Sequence, residues 1–205
     1  MAADASMAAA HAHHLSDAEY EVVRDQRLLG FLFFLISDCI IFGDFIFSYL
    51  YLRSASPYWP YSPAGIPIHR PDLYLAAVNS IVLFGSGATM HYAMEGMRRE
   101  RRGQFVWLTV ATIILGSLFV AGQAYEYVHL HDTWGGTTFG ASFFTLTGLH
   151  GFHVSIGVIF LITVLIQTLR GTYTKERHFG LTAATLYWHF VDVIWVALFF
   201  LFYIY

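Results

Sequence analysis

Five apolar runs dominate the chain, at about residues 28–52, 73–94, 105–128, 139–169 and 181–205. A helix rising about 1.5 Å per residue needs about 20 residues to cross a hydrocarbon core of about 30 Å. Each run meets that length. The fourth exceeds it, so it is expected to tilt or to project beyond the bilayer. Only 12% of the 205 residues are charged and 57% are hydrophobic, whereas a soluble domain carries about 25% charged residues to keep its surface in water. The expected fold is therefore all-α: a polytopic membrane protein, a bundle of five transmembrane helices.

Residues 1–27 differ in kind. They are rich in Ala and His up to His14 and then alternate Asp, Glu and Arg. This stretch reads as a solvated N-terminal tail ahead of a five-helix transmembrane domain, residues 28–205. It has no apolar segment of its own followed by a small-residue cleavage site, so a removable signal peptide is not expected. His11, His13 and His14 suit either weak metal binding or plain solvation, and His129 and His131 carry no specific signal.

The cations between the runs set an expected orientation, because Lys and Arg stay on the cytoplasmic side. Arg24 and Arg27 precede the first run, Arg98, Arg99, Arg101 and Arg102 separate the second from the third, and Arg170, Lys175 and Arg177 separate the fourth from the fifth; Arg53 and Arg70 alone lie on the other side. Nine positive residues against two predict a cytoplasmic N-terminus and a periplasmic C-terminus. All five prolines (Pro57, Pro60, Pro63, Pro67 and Pro71) fall between the first two runs with Tyr58, Trp59 and Tyr61, as suits an external loop with an interfacial aromatic belt. A net charge of −3 argues against a nucleic-acid partner, which needs clustered positive charge. The single cysteine, Cys39, excludes a disulfide framework and a Cys-rich zinc site.

Polar residues inside the runs are the candidates for function, since an unpaired charge in hydrocarbon costs at least about 2.5 kcal/mol. Gln123 and Glu126, His150 and His153, and His189 and Asp192 are each spaced i, i+3, which puts each pair on one helical face about 60° apart. Asp38 and Asp44 are about 120° apart around their helix, so they are expected to meet different neighbours. His150, His153, His189 and Asp192 suit two chemistries. Imidazoles and a carboxylate from adjoining helices can ligate a metal or haem iron, and the same groups can tie helices together by hydrogen bonds; the second is the expectation. Asp38 likewise suits a proton carrier, because loss of water penalises its charged form, or a neutral acid hydrogen-bonded to another helix. Small residues four apart (Ala76 and Ser80, Thr112 and Gly116, Ser117 and Ala121, Gly151 and Ser155) point to close helix packing.

Two longer segments are more specific. The run Tyr187-Trp188-His189-Phe190-Val191-Asp192-Val193-Ile194-Trp195 and the run Thr147-Gly148-Leu149-His150-Gly151-Phe152-His153-Val154 resemble the signature of subunit III of the haem-copper terminal oxidases. Val78-Asn79-Ser80 leading to Ser86-Gly87-Ala88-Thr89, Met94-Glu95-Gly96, Gln123-Ala124-Tyr125-Glu126-Tyr127 and His178-Phe179-Gly180 agree in the same order, so that the resemblance covers Gly30 to Tyr205.

The resemblance implies a non-catalytic subunit of a proton-pumping respiratory oxidase that reduces oxygen to water in the aerobic electron transport chain. It implies no haem or copper in this chain, those cofactors belonging to partner subunits, and a site in the bacterial inner membrane beside subunit I, with subunit II and a small subunit IV as further partners. Family members bind phospholipid in a V-shaped cleft, support proton uptake and protect subunit I during turnover. Many have seven spans. This chain resembles the shorter bacterial form lacking the first two, so that one wall of the cleft is missing or supplied by another subunit. Asp38, after Ser37, falls where many cytochrome c oxidase members carry a carbodiimide-reactive glutamate, and aspartate there is familiar from the quinol-oxidising branch. Arg170, His178 and Phe179 fall where members hold an anionic lipid headgroup, which a cationic cytoplasmic loop also attracts on general grounds. Glu126, His150, His153, His189 and Asp192 are expected as interhelical ties. The competing classes are a stand-alone membrane haem or metal redox protein and a small proton-coupled transporter. The chain shows neither an internal repeat nor a proline within a run, features that transporters often carry.

Overall fold

The computed structural model describes residues 17–57, 71–130, 137–171 and 179–205. The tail histidines up to His14, most of the proline-rich loop, His131, Lys175, Arg177 and His178 lie outside the described residues. The described residues are all-α, without a strand. Helix α1 is Asp17–Ala55, α2 Leu73–Arg98, α3 Arg102–His129, α4 Thr138–Leu169 and α5 Phe179–Phe199, the last continuing as a π-helical turn, Phe200–Ile204. Among the described residues five helices are long and apolar enough to cross a membrane, as expected. α1 starts at Asp17, ahead of its apolar run, and the 32 residues of α4 give it a length of about 48 Å, well beyond a bilayer core. Contacts divide the chain after Phe34. Before that point the Phe31 and Phe34 rings lie 6.0 Å apart on α1; the bundle described below is Leu35–Tyr205.

Local chemistry ends the helices where the sequence supplies it. The Asp72 carboxylate accepts from the Tyr74 backbone N–H at 2.9 Å, and the Thr137 hydroxyl accepts from that of Gly140 at 2.9 Å; each satisfies one of the N–H groups that a helix start leaves unpaired. At the other end of α2, Arg101 N–H donates to Gly96 O at 2.8 Å and Glu100 N–H to Met97 O at 3.1 Å. This is a Schellman turn, and its left-handed position is occupied by Glu100, with φ of 60°, where glycine is usual. The Arg102 guanidinium in turn donates to the carbonyl oxygens of Thr168 and, at 3.0 Å, Leu169, neutralising the exposed C-terminal end of α4.

Helices in lipid gain little from apolar contact alone, so close fit and hydrogen bonds decide how they pack. α2 packs on α3, α3 on α4, α4 on α5 and α5 back on α2, which closes a four-helix ring. α5 is its most covered member: half of its most apolar window is buried, against 17% for α1. The fully buried Trp188 on α5 explains why. Its ring fills a slot between Gly116 of α3 and Gly157 of α4, where a Cβ would stand 2.5 and 2.9 Å from ring carbons, and its indole N–H donates to Ser86 of α2 at 3.0 Å. One side chain thus joins four helices. Two turns later Trp195 repeats the arrangement, donating to Ser80 at 2.8 Å, with Phe119 edge-on at 4.8 Å and His150 stacked at 5.0 Å.

The small-residue pairs divide. Ala76, Ser80, Thr112 and Gly116 are buried at helix contacts, whereas Ser117 and Ala121 are exposed and no described atom comes within 4 Å of a Cβ at Gly151. Small size permits close approach without requiring it. From Leu35 on, α1 buries only a narrow stripe, Leu35, Asp38, Phe42 and Tyr49, at the 3, 4 and 7 spacing of a single helical seam. Tyr49 meets Phe202 at 4.9 Å, and Arg53 donates to Tyr205 O at 3.0 Å while lying 3.9 Å over its ring.

Two sets of substitutions test this packing, read by SDS-titration unfolding. Gly116→Ala or Gly157→Ala pushes on Trp188 and is expected to cost about 1–3 kcal/mol, while Gly85→Ala, with no described atom within 4 Å, is expected to be neutral or to stabilise by up to about 1 kcal/mol. Glu100→Gly is expected to stabilise by about 1 kcal/mol, since only glycine adopts positive φ without cost; a loss of stability would show that the Glu100 side chain outweighs its backbone.

Candidate functional site

Asp38 sits near the middle of the α1 span and is 6% exposed. Its Oδ2 lies 3.7 Å from Nε2 of His153 on α4 and has no hydrogen-bond partner among the described residues. His153 is held from both sides. Its Nδ1 is 2.8 Å from Leu149 O, one turn back along α4, and Phe42 packs on its ring at 5.2 Å. A carbonyl oxygen only accepts, so Nδ1 carries a hydrogen and Nε2 is the nitrogen turned to the carboxyl group. The backbone oxygen of His153 accepts from the Tyr187 hydroxyl of α5 at 3.1 Å. A separation of 3.7 Å exceeds a hydrogen bond, so Asp38 and His153 face each other without being joined. Asp44 is exposed, and the structure does not bring it to this site.

A second carboxyl is fully engaged. Glu126 on α3 accepts from Gln123 Nε2 at 3.0 Å and from the Tyr203 hydroxyl at 3.0 and 2.9 Å, one distance to each oxygen. Tyr203 reaches it through the π-helical turn, in which the Tyr205 N–H donates to Phe200 O at 2.9 Å. The extra residue in that turn buries three successive side chains, Leu201, Phe202 and Tyr203, which a regular α-helix spreads around its circumference. Beside this cluster the Tyr127 hydroxyl lies 2.6 Å from that of Thr147.

The remaining sequence candidates take varied positions. His150 is fully buried, but neither ring nitrogen has a hydrogen-bond partner among the described residues. Its ring serves instead as an aromatic plate, stacked on Trp195 and edge-on to Phe119 at 5.7 Å. His189 and Asp192 face one another within α5, Nδ1 to Oδ2 at 3.7 Å. Arg170 caps the C-terminal end of α4 and is exposed, and Phe179 begins α5; their companion His178 is outside the described residues. Among the described residues no group of three or more His, Cys, Asp or Glu is arranged to hold a metal ion. Sequence reasoning did not single out Tyr203, Ser80, Ser86 or Trp188 as partners. Trp188 and Trp195 did carry a signal, since a spacing of seven puts both indoles on one face. Nothing in the pattern announced the π turn that brings Tyr203 inward.

Comparison with known proteins agrees over nearly the whole chain. The model of the family described as cytochrome c oxidase subunit III matches residues 6–205. Cytochrome c oxidase subunit 3 of Synechocystis sp. is 39% identical over 197 residues, covering 95% of this chain and 79% of that protein. The subunit 3 of Thermostichus vulcanus is 37% identical over 182 residues, 88% of each chain, and that of Loxodonta africana is 35% identical over 184 residues, 87% of this chain and 69% of that one. With five membrane-spanning helices, the signature residues in their packed positions and this extent of similarity, the chain belongs to the cytochrome c oxidase subunit III family.

Proposed function

We propose that this subunit III is non-catalytic: it holds no redox centre and works beside subunit I of a proton-pumping oxidase, stabilising that subunit and supporting its proton supply. Subunit II and a small subunit IV are the further partners, and haem and copper belong to partner subunits. The observation that carries the reading is the Asp38 carboxyl, buried at mid-span, whose Oδ2 lies 3.7 Å from His153 and has no hydrogen-bond partner among the described residues, on the helix that the rest of the chain covers least. A group so placed gains a purpose from a neighbouring chain, because lipid supplies neither donor nor acceptor.

The positive-inside bias supports a cytoplasmic N-terminus, with residues 1–27 as a solvated tail and residues 28–205 as the transmembrane domain in a bacterial inner membrane. Arg170, His178 and Phe179 are assigned to the headgroup of an anionic phospholipid at the cytoplasmic surface, where each basic residue contributes about 1 kcal/mol. Cytochrome c is the favoured electron donor of the complex, on the names of the relatives; Asp38 in place of glutamate is the one feature that points to quinol.

Copurification from native membranes tests the assembly. A partner subunit II with a dinuclear copper site is expected, and a subunit II without copper would make the donor a quinol. Asp38→Ala is expected to leave haem content unchanged while shortening the active life of the enzyme or slowing proton uptake; unchanged lifetime and pumping ratio would remove Asp38 from that role.

A further inference from the structure

Asp44 stands on the open surface of α1, inside the stretch that crosses the bilayer. It is exposed, and its neighbours one turn away on that surface include Ile40, Ile41 and Phe47, which are exposed too. Residue 40 is the midpoint of the Asp25–Ala55 span, and Asp44 is four residues beyond it, about 6 Å along the axis. The side chain does not climb out from there. The Cα–Cβ bonds of a helix tilt toward its N-terminus, which from Asp44 is toward the middle of the span, and aspartate lacks the long stem by which Lys and Arg reach the interface. No hydrogen bond or ion pair from another described residue meets its carboxyl group. The next cation along the helix, Arg53, is nine residues away, about 14 Å, and is engaged with Tyr205.

Asp44 does not stand alone on this face. Ser37, Ile41, Asp44, Ser48 and Tyr51 are all exposed and fall within about 80° of one another at 100° per residue. Their spacings of four and three residues repeat every seven, the period of a seam between two helices wound side by side, and the small Ser37 and Ser48 permit close approach. This face lies about 130° around α1 from the seam of Leu35, Asp38, Phe42 and Tyr49 that is buried against the bundle. An acid here is costly against lipid, since acyl chains carry no donor and headgroups stay at the surface. A second copy of the chain is a poor match as well, because two copies with one orientation in the membrane bring Asp44 to Asp44 at equal depth, and neighbouring carboxyl groups repel when charged. We propose that this face of α1 docks a transmembrane helix of a neighbouring oxidase subunit, one that carries an Arg, Lys or His side chain at the depth of Asp44 and donates to its carboxyl group. The inference rests on the reading of the chain as an oxidase subunit. It gives α1 two working faces, one toward its own bundle and one toward the complex.

The test uses the whole oxidase, purified with a photo-crosslinking phenylalanine derivative in place of Phe47, which is 70% exposed at the edge of this face and one turn from Asp44. Irradiation is expected to join this chain to a transmembrane segment of another subunit, and mass spectrometry of the adduct to find an Arg, Lys or His within two turns of the linked residue. Separately, Asp44→Leu is expected to lower retention of the chain by the detergent-solubilised complex at least tenfold, the equivalent of one hydrogen bond to a charged group, and Asp44→Asn, which keeps an oxygen acceptor, to lower it less. Retention unchanged or raised by Asp44→Leu, or adducts only with lipid, only with a second copy of this chain or none at all, in a complex that still contains the haem-bearing subunits, would overturn the docking face and leave the oxidase reading intact. A chain that purifies without any haem-bearing subunit would overturn both.

Discussion

Hydrocarbon offers no hydrogen bonds, so a polar group in a membrane span gains most by finding its partner in protein. That constraint organises the bundle. The indoles of Trp188 and Trp195 are met by Ser86 and Ser80, the Asn79 amide by the Phe119 carbonyl at 3.1 Å, and Glu126 by Gln123 and Tyr203. Apolar contact would let helices slide and rotate past each other. A tryptophan seated between two glycines and hydrogen-bonded to a third helix does not, and it fixes the rotation of α5 relative to α2, α3 and α4 together.

The same constraint marks what the chain does not satisfy by itself. Asp38 and Asp192 each keep a buried carboxyl oxygen without a hydrogen-bond partner among the described residues, and Asp44 is exposed within the α1 span. α1 from Leu35 on buries a single seam and leaves large apolar residues such as Phe45 and Phe47 exposed. In a subunit of a larger membrane complex, the exposed apolar faces and the exposed Asp44 are what the chain leaves uncovered by itself.

The spans were legible because length and apolarity alone decide them, and the polar stripes because a spacing of three residues sets a face whatever lies opposite. The partners were not legible. Spacing locates a side chain on its own helix and says nothing about the rotation of the next one, so the separation of Asp38 from Asp44 could be foreseen while the approach of His153 to Asp38 could not. His150 shows a second limit: polar by residue type, it is used as a flat ring against Trp195 and Phe119. Tyr203 shows a third, because one inserted residue in a helical turn shifts every later position out of the pattern. Glu100 occupies a left-handed turn position that sequence reasoning assigns to glycine.

The central claim is that the ionisable groups in these spans serve protein partners and hold no redox centre. Iron and copper analysis of the chain separated from the purified oxidase, together with its visible spectrum, tests that most directly. All haem and copper should remain with the other subunits; iron or copper retained by this chain in stoichiometric amount would contradict the account.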